Sequence, residues 1–208
     1  MGKIVGIVDY GVGNLFSVGN AVQSLSCEKI ISGSPDQLSE VDCIIFPGVG
    51  AFDDGMEKLR KRGLDRFLIE YAESGKPILG ICLGMQLLLS EGSEGGVSKG
   101  LNLIEGSVMK LPYATGCKIP HIGWNDVFGE SMSVNPVFSG VEQNTSFYFV
   151  HSYHVLPDAD ISLVYTDFYG QDIVAGFHAD NLYGVQFHPE KSQKAGMQLL
   201  NNFIAIEV

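Results

Sequence analysis

Positive charge is scarce in this sequence. Lys and Arg number 13 against 24 Asp and Glu, a formal net charge of −11 over 208 residues. Nucleic-acid surfaces need concentrated basic side chains to displace counterions, so no nucleic-acid partner is expected. The one basic cluster, Lys58, Arg60, Lys61, Arg62 and Arg66, is interleaved with Asp53, Asp54, Glu57 and Asp65. That pattern reads as a solvated helix face, with an acidic protein surface as the alternative. Cysteine is sparse too: Cys27, Cys43, Cys82 and Cys117 show no paired or metal-type spacing. Cys27 and Cys43 lie in or beside apolar stretches, which fits reduced core thiols in a cytoplasmic protein. H-E-x-x-H and paired C-x-x-C are absent, so neither a metal site nor a cofactor is expected.

Long apolar runs are also missing. None approaches the roughly 18 residues a membrane span requires, so no membrane association is expected. The opening run passes into Asp9 and Tyr10 rather than into a small-residue cleavage site. Gly6 stands where a myristoylation signal needs Ser or Thr, and Asn144-Thr145-Ser146 is read as a chance match to a glycosylation triplet. The stretch "YGVGNLF" begins like a dinucleotide fingerprint but has Phe16 where the third glycine belongs, and no P-loop follows.

What is present is an alternation of strand and helix signals. Strands are expected at 3–10, 28–32 and 41–48, the last ending in a Pro-Gly break, with helices at 14–25 and 52–73. A short strand at Pro77-Ile78-Leu79 then leads into Met85, Leu87, Leu88 and Leu89, which suit a buried helix. Interleaving of this kind implies a mostly parallel sheet covered by helices on both faces. From about residue 100 the segments turn β-rich, and an amphipathic helix at 192–206 closes the chain. The expectation is one α/β domain over 1–208 with an antiparallel extension. Ligands on such sheets bind outside the carboxyl ends of the strands.

Three motifs fall at such ends. Cys82, between Gly80 and Gly84 at a strand-to-helix turn, matches the placement of a nucleophile elbow. In "FHPEKS", His188 and Glu190 flank a proline; a thiol nucleophile needs a base, and the base needs a third group to orient it. In "FPGVGAF", Gly48, Val49 and Gly50 can turn backbone N–H groups toward a developing oxyanion. Each has a plain alternative: a small buried cysteine, a surface histidine in a proline turn, a turn that simply needs glycine. His151 and His154 are expected on opposite faces of one strand, a poor metal pair, and His121 and His178 lack an orienting carboxylate.

"GICLGMQLL", "PGVGAF" and "FHPEKS", in that order, resemble the class I (triad) glutamine amidotransferases. "PHIGWN" (120–125) and "YFVHSYH" (148–154) extend the likeness to the glutaminase subunits of imidazole glycerol phosphate synthases, over essentially the whole chain. The resemblance implies a flavodoxin-like fold and hydrolysis of L-glutamine to glutamate and ammonia by Cys82, His188 and Glu190. It implies an oxyanion hole from the Leu83 N–H and a second donor, Val49. Gln86, Ser152 and Tyr153 would hold the glutamine, with Gly48 at the pocket wall. It also implies a heterodimer with a (βα)8-barrel cyclase that uses the ammonia in histidine biosynthesis, with Asn14, Trp124, Tyr148 and Lys191 at the interface. A glutaminase feeding another barrel synthase, such as one amidinating a surface-polysaccharide sugar, stays open. So do a cysteine peptidase or deglycase-like enzyme of the same broad fold, and a non-catalytic binding module.

Overall fold

Alternation of apolar side chains along each strand sets the layers. The computed structural model describes residues 2–25, 27–113 and 116–207; Met1 and Val208, the ends of the expected domain, lie outside them. The chain runs β1 (Ile4–Val8), α1 (Leu15–Gln23), β2 (Glu28–Ser32), α2 (Pro35–Leu38), β3 (Cys43–Gly48), α3 (Phe52–Lys61) and α4 (Leu64–Glu73). Next come β4 (Ile78–Cys82), α5 (Leu83–Leu87), β5 (Leu89–Gly92), β6 (Ser98–Lys99), β7 (Ile104–Lys110), β8 (His121–Phe128) and β9 (Thr145–His151). The last elements are β10 (Tyr153–Pro157), β11 (Ser162–Phe168), β12 (Gln171–Ala179), β13 (Leu182–Val185) and α6 (Gln193–Ala205).

Nine strands form one sheet in the order β2-β1-β3-β4-β13-β12-β11-β8-β9. The pairs from β2 to β13 are parallel and those from β13 to β9 antiparallel. Ile44, Phe46 and Ile78 pack on one face with Phe52, Met56, Leu59, Leu64 and Leu68 of α3 and α4. Ile45, Leu79 and Ile81 pack on the other with Val18 and Val22 of α1 and Leu199 and Phe203 of α6. Period-two side-chain alternation feeds both cores, so the central strands are apolar throughout. A second sheet, β10-β7-β5-β6, was not separated from the first in the sequence reading.

Three expectations need correction. The helix expected over 52–73 is two helices, because Gly63 adopts a left-handed φ of 67° between α3 and α4. Leu89, expected in the helix after Cys82, begins β5: α5 lasts only five residues before the chain joins the second sheet. The strand expected to end at Pro47-Gly48 does end there, in register with Ile81 and Cys82 of β4. His151 and His154 occupy different strands in different sheets, since the chain turns at Ser152.

Among the described residues no helix is long and apolar enough to cross a membrane. Four of the five basic side chains are engaged internally: Lys58 pairs with Asp54 at 2.6 Å, Lys61 pairs with Glu57, and Arg60 and Arg62 donate to the carbonyls of Lys99 and Asp9.

Candidate active site

Cys82 ends β4 and starts α5 in the same residue. Its backbone sits at φ 54°, ψ −110°, a region that side-chain-bearing residues rarely occupy. The turn is that sharp because α5 lies directly against β3: a Cβ on Gly84 would overlap the Phe46 carbonyl oxygen. Only glycine allows this approach, and the result lifts the Cys82 side chain to the carboxyl edge of the sheet. It borders a cavity of about 410 Å³, a size suited to a small ligand. Of the residues expected to bind substrate, Val49, Leu83, Gln86, Ser152 and Tyr153 line this cavity. Gly48 lies behind the lining, with the Tyr10 hydroxyl where its Cβ would be.

His188 follows β13 and is braced through its backbone. Its N–H donates to the Tyr148 carbonyl at 2.9 Å, and its carbonyl accepts from the Ser192 hydroxyl at 2.7 Å. Pro189 opens a 3₁₀ turn, Pro189–Lys191, that folds Glu190 back onto the ring, with Nδ1 2.9 Å from Oε1. Both side chains are buried, at 3% and 1% exposure, so this pair is shielded from solvent screening. Burial by itself lowers the His188 pKa. Interaction with the Cys82 sulfur and with Glu190 outweighs it and pushes the ring up to about 10. With Nδ1 held by Glu190, the buried Nε2 is the nitrogen left to face the thiol. The arrangement can move a proton between sulfur and a ligand while the carboxylate stabilises the imidazolium.

The residues expected at an interface form a second group. Trp124 and Tyr148 are cross-strand partners of β8 and β9, with ring centroids 6.0 Å apart, and Trp124 is 49% exposed. The Lys191 ammonium lies 5.6 Å from the Tyr148 ring centroid. Asn14 caps α1, its side chain accepting from the Ser17 N–H, and α1 packs on the turn that carries Lys191.

Three residues at the site were missed in the sequence reading, and a fourth, His151, was weighed there without being placed in it. Glu94, in a Ser-Gly-rich loop without any motif, lines the cavity and accepts from the Phe52 N–H at 3.0 Å. His151 also lines it, its Nδ1 2.8 Å from the Tyr153 carbonyl. Tyr10 is fully buried and its hydroxyl has no hydrogen-bond partner among the described residues; burial raises its pKa well above the usual phenol range. Gln186, also fully buried, reaches Cys82. A polar residue in the apolar run "GVQF" was the one available signal for it.

The buried histidines predict two opposite pH limbs. Burial is the main cause that holds His151 down at about 3, against an ordinary 6.5. The unfolded chain therefore takes up that proton first, and the stability is full above pH 6.5 and lost as pH falls toward 3. His188 is the reverse: its contribution is full below 6.5 and lost as pH rises through about 10. Thermal melts across this range should fall at both ends, with His151→Asn flattening the acid limb and Glu190→Gln the alkaline one. Limbs of unchanged steepness in both variants would refute the assignment.

Comparison with known proteins identifies the family. The family model for class-I glutamine amidotransferase matches residues 7–206. The chain is 43% identical over 207 residues to the imidazole glycerol phosphate synthase subunit HisH of Geobacillus thermodenitrificans, covering 98% of this chain and 96% of that one. It is 46% identical over 204 residues to the subunit of the same name from Symbiobacterium thermophilum, covering 98% and 93%. Among solved structures, PurLQS from Thermotoga maritima superposes with a TM-score of 0.77 at 20% identity, with 98% of both chains covered. A glutamine amidotransferase from the same organism gives 0.62 at 16%, covering 96% of this chain and 81% of that one. The structural likeness carries the fold, and the family model and sequence identity carry the family: this chain belongs to the class-I glutamine amidotransferases.

Proposed function

We propose that this chain, as a single domain over 1–208, is the glutaminase subunit of an imidazole glycerol phosphate synthase. It hydrolyses L-glutamine through Cys82, His188 and Glu190 and passes the ammonia to a separate (βα)8-barrel cyclase in the cytoplasm. One observation carries the chemistry: a strained Cys82 borders the cavity, with a buried His188–Glu190 pair at 2.9 Å beside it. The names of the relatives at 43–46% identity support the pathway.

In the reaction, His188 Nε2 holds the proton taken from Cys82, and the resulting thiolate Sγ attacks the side-chain amide carbon. The amide oxygen becomes an oxyanion held by the Leu83 N–H, at the open start of α5, and by the Val49 N–H. Collapse breaks the C–N bond, and His188 returns its proton to the leaving nitrogen as ammonia. Water, deprotonated by His188, then cleaves the thioester to glutamate and the thiol. Glu94 supplies the carboxylate that a substrate α-ammonium requires. Gln86 and the Ser152–Tyr153 backbone hold the rest of the glutamine.

The Tyr148 backbone braces His188 while its ring touches Trp124 and Lys191, so a partner seated on that face acts on the base directly. Glutaminase turnover should be nearly absent from the isolated chain. It should rise about 10²–10³-fold with the cyclase and its nucleotide acceptor, the range one oxyanion donor contributes. Lys191→Ala should lower the fraction of ammonia transferred without shifting the thermal melt. Full turnover from the isolated chain would refute this dependence on the partner. Product from a different barrel synthase, and none with the histidine-pathway acceptor, would reassign the pathway.

A further inference from the structure

The strongest group outside the triad is the buried carboxamide of Gln186. It follows β13, and its backbone is held by the Ala175 carbonyl at 2.8 Å. Its Nε2 lies 3.6 Å from Cys82 Sγ, and its Oε1 lies 2.9 Å from Gln86 Nε2. An amide can be turned end for end, but here its direction is determined. The Tyr153 carbonyl can only accept, so the Gln86 atom 3.0 Å from it must be the nitrogen. That nitrogen also faces Gln186 at 2.9 Å, so the Gln186 atom there must be the oxygen. The remaining end, which faces the sulfur, is the N–H₂. His151 anchors the same carbonyl from the other side, with Nδ1 at 2.8 Å.

We propose that Gln186 is a hydrogen-bond donor to the nucleophilic sulfur, aimed by Gln86 and the Tyr153 carbonyl. This deepens the glutaminase reading and rests on it. A thiolate accepts such a bond far better than a thiol or a thioester sulfur does. The N–H therefore favours the attacking form of Cys82 before acylation. It favours the departing thiolate again when the hydrated thioester collapses and the C–S bond breaks. The donor acts on the sulfur and leaves substrate binding to the cavity lining, so its loss falls on kcat rather than KM. Binding and aiming are joined in one device: Gln86 lines the cavity and orients Gln186 behind the nucleophile.

The test measures alkylation of Cys82 by iodoacetamide in the full chain against pH, mapped by mass spectrometry. It compares the parent, Gln186→Met and Gln186→Glu, with a thermal melt of each. Met keeps the length and removes the donor. It should slow alkylation near neutral pH by about 10–100-fold, the fold-change for one hydrogen bond to a charged group, and move its rise to more alkaline pH. Turnover with the cyclase should fall similarly in kcat, with KM within about twofold. Glu keeps the shape but sets a carboxylate against the sulfur, so it should lose more than Met as pH rises. If Met fails to fold, Glu carries the comparison alone. Alkylation profiles unchanged in the folded variants would overturn the proposal, as would a rise in KM with alkylation untouched. Alkylation responds to the sulfur alone. Slowed alkylation in the variants, with no glutamine hydrolysis by the parent even with the cyclase and its acceptor, would uphold the donor and reject the glutaminase.

Discussion

Replacing Cys82 with alanine should reduce glutamine hydrolysis by about 10⁶-fold, the scale on which loss of a triad nucleophile acts. Ammonia-dependent synthesis by the complex should persist, because Cys82 generates ammonia and takes no part in using it. Alanine keeps the Cβ and imposes the same φ of 54° on the turn, so the elbow and its packing against Phe46 are retained. The effect is therefore chemical and should leave the thermal melt close to that of the parent. A glutamine-like diazo-ketone should label Cys82 and spare the thiols outside the cavity. Cys43 is fully buried, and burial pushes its pKa up to about 12, while burial also raises that of Cys27. Peptide mapping decides the site of the adduct. Normal hydrolysis by Cys82→Ala, or an adduct on Cys27 or Cys43, would remove Cys82 as the nucleophile.

His188→Asn should cost about 10²–10⁴-fold in turnover, since one ring must both accept the thiol proton and protonate the leaving nitrogen. It should also destabilise the chain. Glu190 is 1% exposed, and removing the imidazolium leaves its carboxylate buried without that partner. Breaking a buried pair in this way costs about 3–5 kcal/mol. Glu190→Gln should cost less turnover than His188→Asn, because Glu190 orients the base without reacting. His151→Asn should be milder still: its Nδ1 is committed to the Tyr153 carbonyl, and its ring is held neutral. Steady-state turnover of the three variants in the complex, each with its melt, separates these roles. Loss in His151→Asn equal to that in His188→Asn would move the assignment of the base.

The order of effects reflects where each signal lies along the chain. His188 and Glu190 are two residues apart, and the proline between them directs the turn, so their pairing was legible without a fold. Gly80 and Gly84 around Cys82 likewise marked the elbow, and the Phe46 carbonyl is what occupies the space where Gly84 has no Cβ. The helix at 52–73 was overextended because Gly63 in a charged, periodic stretch costs little in pattern, yet its left-handed backbone ends the helix. The run of leucines after Cys82 was read as helix throughout. Leu88 and Leu89 are equally apolar in a strand, and pairing of Leu89 with Ile104 decided between the two.

The sequence by itself determined the alternation of strands and helices, the elbow at Cys82, the His188–Glu190 turn and the glycine loop after β3. All of these rest on residues within a few positions of one another, where periodicity and turn chemistry act locally. Only the tertiary structure decided what surrounds the sulfur. Glu94 reaches the cavity across 42 positions from Phe52, Gln86 meets Tyr153 across 67, and Gln186 meets Cys82 across 104. The last of these forms because β4 and β13 are neighbours in the sheet, with Val185 beside Ile81. Strand pairing at such separations depends on the packing of the whole core and leaves no periodic trace in the sequence.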